Sequence, residues 1–443
     1  MKTIIHENVT VGENGHLHFA GVDTVTLAEK YGTPAIFIDE DRVRARMREY
    51  KNALETHFGA GSMPLFASKA LSFKALYRIA ADEGIGTDIV SPGELYTAVS
   101  AGFPMERAFF HGNNKTEADI RYAIESGLGY FVVDNMEELD TVSEIASEMG
   151  IRQKILLRIT PGIDPHTHQK ISTGGVDSKF GSAIETGLAE KITKAALAKE
   201  SIELCGFHCH IGSQIFEIDP FVLAADIMTR FIADMRDKFG FTAKILNLGG
   251  GIGVRYVESD PEISITKNVN EICEHIKACC EKYDIKIPTV YMEPGRSIVA
   301  DAGMTLYTVG SVKKIEGFKN YVSIDGGMTD NPRYTLYQSA YTVLLANRAN
   351  EAPEAEYTVG GRCCESGDLI QENVKLPNPK RGDILAVLVT GAYNYSMASN
   401  YNRIPRLPII MVNGKCGDYI AVKRESFEDI TRNDILYGRD HLK

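Results

Sequence analysis

Nowhere in its 443 residues does this sequence run to 18 consecutive apolar residues, and it has no basic tract, no low-complexity segment and no CxxC pair. The first absence argues against a membrane-spanning helix, which needs about 20 apolar residues. The second, with 48 Lys+Arg against 59 Asp+Glu and a net charge of −11, argues against nucleic acid or an anionic membrane as partner. Its 8 cysteines all lie at or beyond Cys205, so neither a disulfide framework nor a structural zinc site is expected. The N-terminal MKTIIHENVT lacks the basic-then-apolar order of a secretory leader. A reduced, cytoplasmic setting and a small-molecule ligand are therefore expected. With 44% hydrophobic and 24% charged residues the chain can bury a large core, enough for about two or three domains, or one barrel of about 250 residues plus additions.

What is present is alternation. Between about residues 60 and 295, the β-prone runs MPLFASK, GTDIVS, AFFHG, YFVVD, KILLRI, LCGFHCH, KILNLG and TVYMEPG are separated by stretches long enough for a helix. They end near Lys69, Ser91, Gly112, Asp134, Ile159, His210, Gly249 and Gly295. Strand then helix, eight times over, predicts a parallel (β/α)8 barrel over residues 36–300. A helix over 94–102 opens on a carboxylate and closes at glycine, and Asn135 is an N-cap candidate followed by Glu137 and Glu138. Beyond residue 300, short runs punctuated by glycine and proline predict a mostly antiparallel β domain of sandwich or barrel type, joined by residues 1–35 with their alternating HLHFAGV.

In such a barrel the active site lies where strands end, so polar residues there are the candidates. Lys69 follows an apolar strand; if partly desolvated, its amine would shift toward the neutral form that makes an imine with an aldehyde cofactor. Gly249, Gly250 and Gly251, after the seventh strand, let backbone approach an anion where barrels often bind phosphate. The pattern is GGGxG, not GxGxxG, so a dinucleotide site is not supported. Glu293, in Glu293-Pro294-Gly295-Arg296, could hold a ring nitrogen protonated. His208 and His210 fall on one face if the strand continues. They could ligate a metal, as in amidohydrolase-type enzymes, but such a site would want ligands from neighbouring strands that offer a lysine and glycines instead. His210 is therefore read as a ring stacked on a flat cofactor, with Ser213 on its phosphate, and no metal is expected. An imine lysine, an anion loop, a ring carboxylate and a stacking ring together suit pyridoxal 5'-phosphate.

These motifs resemble the alanine-racemase-like, fold-type III pyridoxal-phosphate decarboxylases, and within them the branch acting on meso-2,6-diaminopimelate. The resemblance covers nearly the whole chain: FASKA at Lys69, GTDIVSPGEL with Asp88, HCHIGSQI, GGGIG and EPGR, in order. It implies that Lys69 carries the cofactor, His210 stacks on its ring, Glu293 pairs with the ring nitrogen, and Asp88 and Arg158 lie beside it. Phosphate would be held by Ser213, Gly249, Gly250, Gly251, the Pro294, Gly295 and Arg296 segment and the Tyr393 hydroxyl. One mild departure is Phe66, where many relatives carry tyrosine.

Three further stretches narrow the substrate by resemblance: DGGMTDNPRYTLYQSAY with Arg333 and Tyr337, GGRCCESGDLI with Cys364, Glu365 and Asp368, and residues 164–175 with Lys179, Phe180 and Gly181. They imply that Arg296, Arg333 and Tyr337 meet the distal carboxylate of the substrate and Glu365 its distal ammonium, with Tyr393 also among the substrate-binding residues. Cys364 would be the proton donor, supplied across a homodimer with shared active sites. The expected reaction yields L-lysine and CO2. Same-fold decarboxylases of D-ornithine, D-lysine, arginine or carboxynorspermidine stay open as alternatives, as does a silent cofactor-binding protein, although storage would need none of Cys364, Glu365 and Arg333.

Overall fold

A computed structural model describes residues 4–163, 175 and 178–435. It divides into two units, one of residues 42–255 and 259–300, the other of residues up to 41, 256–258 and from 301 onward.

The first unit is a closed parallel barrel. Its strands are β1 (Met63–Ala67), β2 (Gly86–Ile89), β3 (Ala108–Phe110), β4 (Tyr130–Val133), β5 (Gln153–Thr160), β6 (Ile202–His208), β7 (Ile245–Asn247) and β8 (Thr289–Met292). Each pairs in parallel with the next, β8 pairs with β1, and the ring closes. A helix follows every strand, from Lys74–Asp82 after β1 to the single turn Arg296–Val299 after β8. Local chemistry explains the helix starts. After β2 the helix begins at Pro92, two residues before the carboxylate that the sequence reading took as its start. Proline is preorganised for the first turn, and the Ser91 side chain accepts the Glu94 N–H. After β4, Asn135 caps Met136–Glu148 by accepting the Glu138 N–H, as expected.

Side chains from seven of the eight strands meet inside: Leu65, Phe109, Val132, Leu156, Cys205, Ile245 and Tyr291. Phe109 stacks on Tyr130 at 4.4 Å and meets Tyr291 edge-on at 5.2 Å. Buried apolar side chains are worth about 1.5–3 kcal/mol each, so this plug holds the strand ends above it in place. One contact is tighter still. A Cβ at Gly206 would lie 1.9 Å from the carbonyl oxygen of its β7 partner Ile245.

The second unit is built on a mixed sheet around the 12-residue strand Gly303–Lys314. Most pairings are antiparallel, but Asn320–Ile324 runs parallel to Ala355–Gly360, and Ala35–Asp39 parallel to Ile409–Val412. Ala35–Asp39 pairs with Gly303–Leu306, so residues 36–41 count with this unit, whereas the sequence reading opened the barrel at 36. The HLHFAGV alternation forms part of a separate three-stranded meander of Val9–Val11, Leu17–Phe19 and Val22–Asp23. Among the described residues no helix is long and apolar enough to cross a membrane.

Gly206→Ala should lower the unfolding free energy by roughly 1–3 kcal/mol or more, because backbone cannot yield as a flexible side chain does. Denaturant titration checks it, and a variant as stable as the parent would contradict the β6–β7 packing.

Candidate active site

Lys69 lies in the turn Ser68–Ala70, two residues beyond β1, with its side chain exposed at that strand end. The conditional burial of the sequence reading is thus not what places it. The turn is fixed instead: the Ser68 N–H donates to Asp88 Oδ1 at 2.9 Å, from the adjacent β2. Asp88 is buried. That burial, reinforced by the charge of Glu293, holds its carboxyl well above the usual range.

Glu293 follows β8 and is 6% exposed, a depth at which an uncompensated carboxylate is costly. It is compensated by groups from three other strand ends. Asn247, the last residue of β7, donates to Oε1 at 2.7 Å. His208, the last residue of β6, places Nε2 3.1 Å from Oε2. His111, just past β3, places Nε2 2.8 Å from Oε1, close but poorly aligned for a hydrogen bond. Burial pushes the carboxyl of Glu293 up, but the two imidazoles outweigh it and hold the group well below the usual range. Burial likewise holds both rings neutral, His208 at about 4.

The sequence reading put His208 and His210 on one strand face. The strand ends at His208, so the alternation stops there. His208 turns to Glu293, while His210 Nδ1 accepts the Gly250 N–H at 3.3 Å. With Nδ1 as acceptor and burial pushing its basicity well down, His210 is a neutral ring. The glycines are required by geometry. Gly249 and Gly251 have φ of 66° and 129°, and a Cβ on Gly250 would sit 2.0 Å from the Glu293 carbonyl. Beside them Arg296, itself buried, donates from Nε and Nη2 to Ser213 Oγ at 3.2 and 2.9 Å. The Ala67 N–H donates to the Pro294 carbonyl, and a Cβ on Gly295 would lie 2.8 Å from Ala67 Cβ, so β8 and β1 approach closely here. The Arg158 guanidinium stacks 4.5 Å from the Phe180 ring, its pKa lowered by burial. Lys69, Asp88, Arg158, His210, Ser213, the glycine run and residues 293–296 therefore all belong to one end of the barrel. His111, His208 and Asn247 join them without having been assigned from sequence. The only sequence cue was their place at strand ends.

In the second unit Arg333 is buried, its guanidinium 5.6, 5.6 and 5.9 Å from the rings of Tyr256, Tyr337 and Tyr393, with Nη2 donating to Ser339 Oγ. Arg333 and Tyr337 open and close one short helix, but they are no solvated pair: the arginine is sunk among tyrosines, of which Tyr256 was not foreseen. Cys364 is exposed, and its N–H donates to Asn402 Oδ1 at 2.8 Å. Asp368 ties the loops before Arg333 and Cys364 together, its Oδ1 accepting the Met328 N–H and its Oδ2 the Cys363 N–H, both at 2.6 Å. Glu365 Oε1 accepts the Gly367 N–H at 3.4 Å. Of the stretch after β5, residues 164–174 lie outside the described residues. The Gly181 N–H donates to Asp134 Oδ1 at 2.9 Å.

Residues 40–300 match the family model for the pyridoxal-dependent decarboxylase, pyridoxal binding domain. Over 434 residues the chain is 47% identical to diaminopimelate decarboxylase of Bacillus subtilis (strain 168), covering 98% of each chain. It is 39% identical to that of Synechocystis, over 99% of this chain and 94% of the relative. Its fold matches the crystal structure of diaminopimelate decarboxylase from M. jannaschii in co-complex with L-lysine with a TM-score of 0.89, at 32% identity and over 97% and 98% of the two chains.

Because His208 holds its proton only below about 4, against 6.5 for the free ring, the unfolded chain protonates first as pH falls. The stability tied to neutral His208 is fully present above 6.5 and is lost progressively toward 4, by roughly 3 kcal/mol. Denaturant titrations from pH 7 to pH 4 should show this loss in the parent and a flatter dependence in His208→Gln. Identical slopes would contradict the assignment.

Proposed function

The chain belongs to the diaminopimelate decarboxylases, a family of pyridoxal-dependent decarboxylases, and we infer that it converts meso-2,6-diaminopimelate to L-lysine and CO2, the last step of lysine biosynthesis. The observation that carries this reading is the convergence of Lys69, His210, Glu293 and the glycine run at one end of the barrel, in a chain whose relatives carry that name throughout.

Pyridoxal 5'-phosphate fits the residues present. At Gly249, Gly250 and Gly251 any Cβ would collide with backbone, and bare glycine lets an anionic group come close beside the Ser213 hydroxyl and Arg296. Lys69 supplies an exposed amine two residues past β1, and Glu293 a buried carboxylate. When bound, the cofactor supplies an electron sink for the carbanion left by departing CO2.

The rest is the work of the chain. Lys69 Nζ would hold the cofactor covalently through its aldehyde. Glu293 holds the proton on the ring nitrogen by opposing its charge. Neutral His210 lies against the ring face, where a charged imidazolium would repel a protonated ring. Asp88 and Arg158 flank the site. Ser213, Gly249, Gly250, Gly251, Pro294, Gly295, Arg296 and the Tyr393 hydroxyl hold the phosphate. Cys364 Sγ delivers the proton that replaces the lost carboxylate, from a partner chain in a homodimer that shares its sites.

Substrate choice is electrostatic. Lysine, ornithine and arginine end in a cation alone, so arginine in their pocket would repel them. Diaminopimelate ends in both charges, which suits Arg296, Arg333 and Tyr337 for its distal carboxylate and Glu365 for its distal ammonium. A charge-assisted hydrogen bond is worth about 1.5–3 kcal/mol, or roughly 10- to 100-fold in selectivity.

Trapping of released CO2 tests the assignment. Meso-diaminopimelate should be decarboxylated in preference to lysine, ornithine and arginine, and Arg333→Leu should lower kcat/KM for it by roughly 10- to 100-fold. Absence of CO2 from diaminopimelate, with release from another member of the panel, would overturn the substrate.

A further inference from the structure

Resting on the cofactor reading above, the geometry points to His208 and His111 as positioning residues that, with Asn247, fix Glu293 as an oriented but un-neutralised anion beneath the ring nitrogen. A carboxylate offers about four lone-pair sites. Asn247 Nδ2, at 2.7 Å, and His111 Nε2, at 2.8 Å, approach Oε1, and His208 Nε2 approaches Oε2 at 3.1 Å. Room for about one further donor remains, which is what a single ring N–H requires.

The three groups arrive from β3, β6 and β7, and each is anchored by its own strand. The His111 N–H donates to the Ile89 carbonyl at 2.8 Å, and His208 and Asn247 pair with each other in the β6–β7 register. The two imidazoles lock one another, their rings meeting edge-on at 4.8 Å. Rotation of the Glu293 carboxylate would therefore break contacts to three strands at once.

Neutrality is the second half of the argument. Lysine or arginine in place of either histidine would cancel the charge of Glu293 and weaken its hold on a pyridinium proton. A neutral N–H orients the oxygen without cancelling it. The proton sits on His208 Nε2, because the ionised carboxylate 3.1 Å away can only accept, and the buried Nδ1 has no hydrogen-bond partner. The other charged groups that sense this carboxylate are Asp88, whose proton affinity Glu293 raises, and Arg158, the nearby full cation. Arg158 is occupied by the face of Phe180 and the charge of Asp134.

The test uses holoenzyme resolved and reconstituted with two ligands: pyridoxal 5'-phosphate, and the analogue whose ring nitrogen is replaced by CH. A residue acting through Glu293 on the ring nitrogen affects only the first. His208→Leu should weaken pyridoxal 5'-phosphate by roughly tenfold, the loss of one hydrogen bond to a charged group, His111→Leu should weaken it in the same direction through loss of a polar contact at 2.8 Å, and both should leave the analogue within about twofold. His208→Gln, which keeps an N–H donor, should recover most of the loss. Should a leucine variant fail to fold, His208→Asn and His111→Asn, whose shorter amides stop short of the carboxylate, carry the same expectation. Equal weakening of both ligands would mean a purely structural role, and no weakening of either would mean no role; both overturn the proposal. If the unaltered enzyme itself binds the two ligands equally tightly, the pairing of Glu293 with a ring nitrogen fails first, and the proposal with it.

Discussion

The site depends on one buried negative charge. Glu293 is enclosed at the end of the barrel, and only the hydrogen bonds of Asn247 and His208, with the close approach of His111, make an ionised carboxylate tolerable there. Removing one hydrogen-bond donor from a buried charge costs about 1.5–3 kcal/mol, so the folded barrel and the ionised site are coupled. That coupling also decides the neighbours. Burial and the charge of Glu293 push the Asp88 carboxyl up, while the imidazoles beside Glu293 hold its carboxyl down, so Glu293 is the more readily ionised of the two. Asp88 then serves through geometry, fixing the turn that carries Lys69.

The charge can be placed only because the sheet closes. His111, His208, Asn247 and Glu293 lie at the ends of four strands spread over some 180 residues of sequence, and nothing local brings them together. The apolar plug from Leu65 to Tyr291 supplies the rigidity. Close approaches such as Gly206 against Ile245 and Gly250 against Glu293 draw the strands to the required distance. In the second unit Asp368 does a comparable job on a smaller scale, tying the loops before Arg333 and Cys364 to a single carboxylate.

This division explains what could be read in advance. The barrel was legible because short, nearly continuous apolar runs alternate with helix-length stretches, and those are local properties, as is the cap at Asn135. Lys69, Glu293 and the glycine run were legible because strand ends are marked by an abrupt change from apolar to polar residues. His208 was visible as one half of an HxH pair but misjudged, since the end of a strand by a single residue decides where the second histidine points. His111, Asn247 and Tyr256 carry no local mark, because their significance arises from closure alone. The same holds for Ala35–Asp39, whose unit is settled by pairing with residues more than 260 positions away. Arg333 was named from its motif, whereas its burial among aromatic rings comes from tertiary contacts that its spacing from Tyr337 does not reveal.

We infer that the strand-end amine of Lys69 carries the cofactor and that the buried charge of Glu293 serves its ring nitrogen. Borohydride reduction of the holoenzyme followed by peptide mapping addresses this most directly. The cofactor should be fixed to Lys69 and to no other lysine, with Lys69→Ala leaving the protein unlabelled. A label on another lysine, or none on cofactor-saturated enzyme, would contradict it.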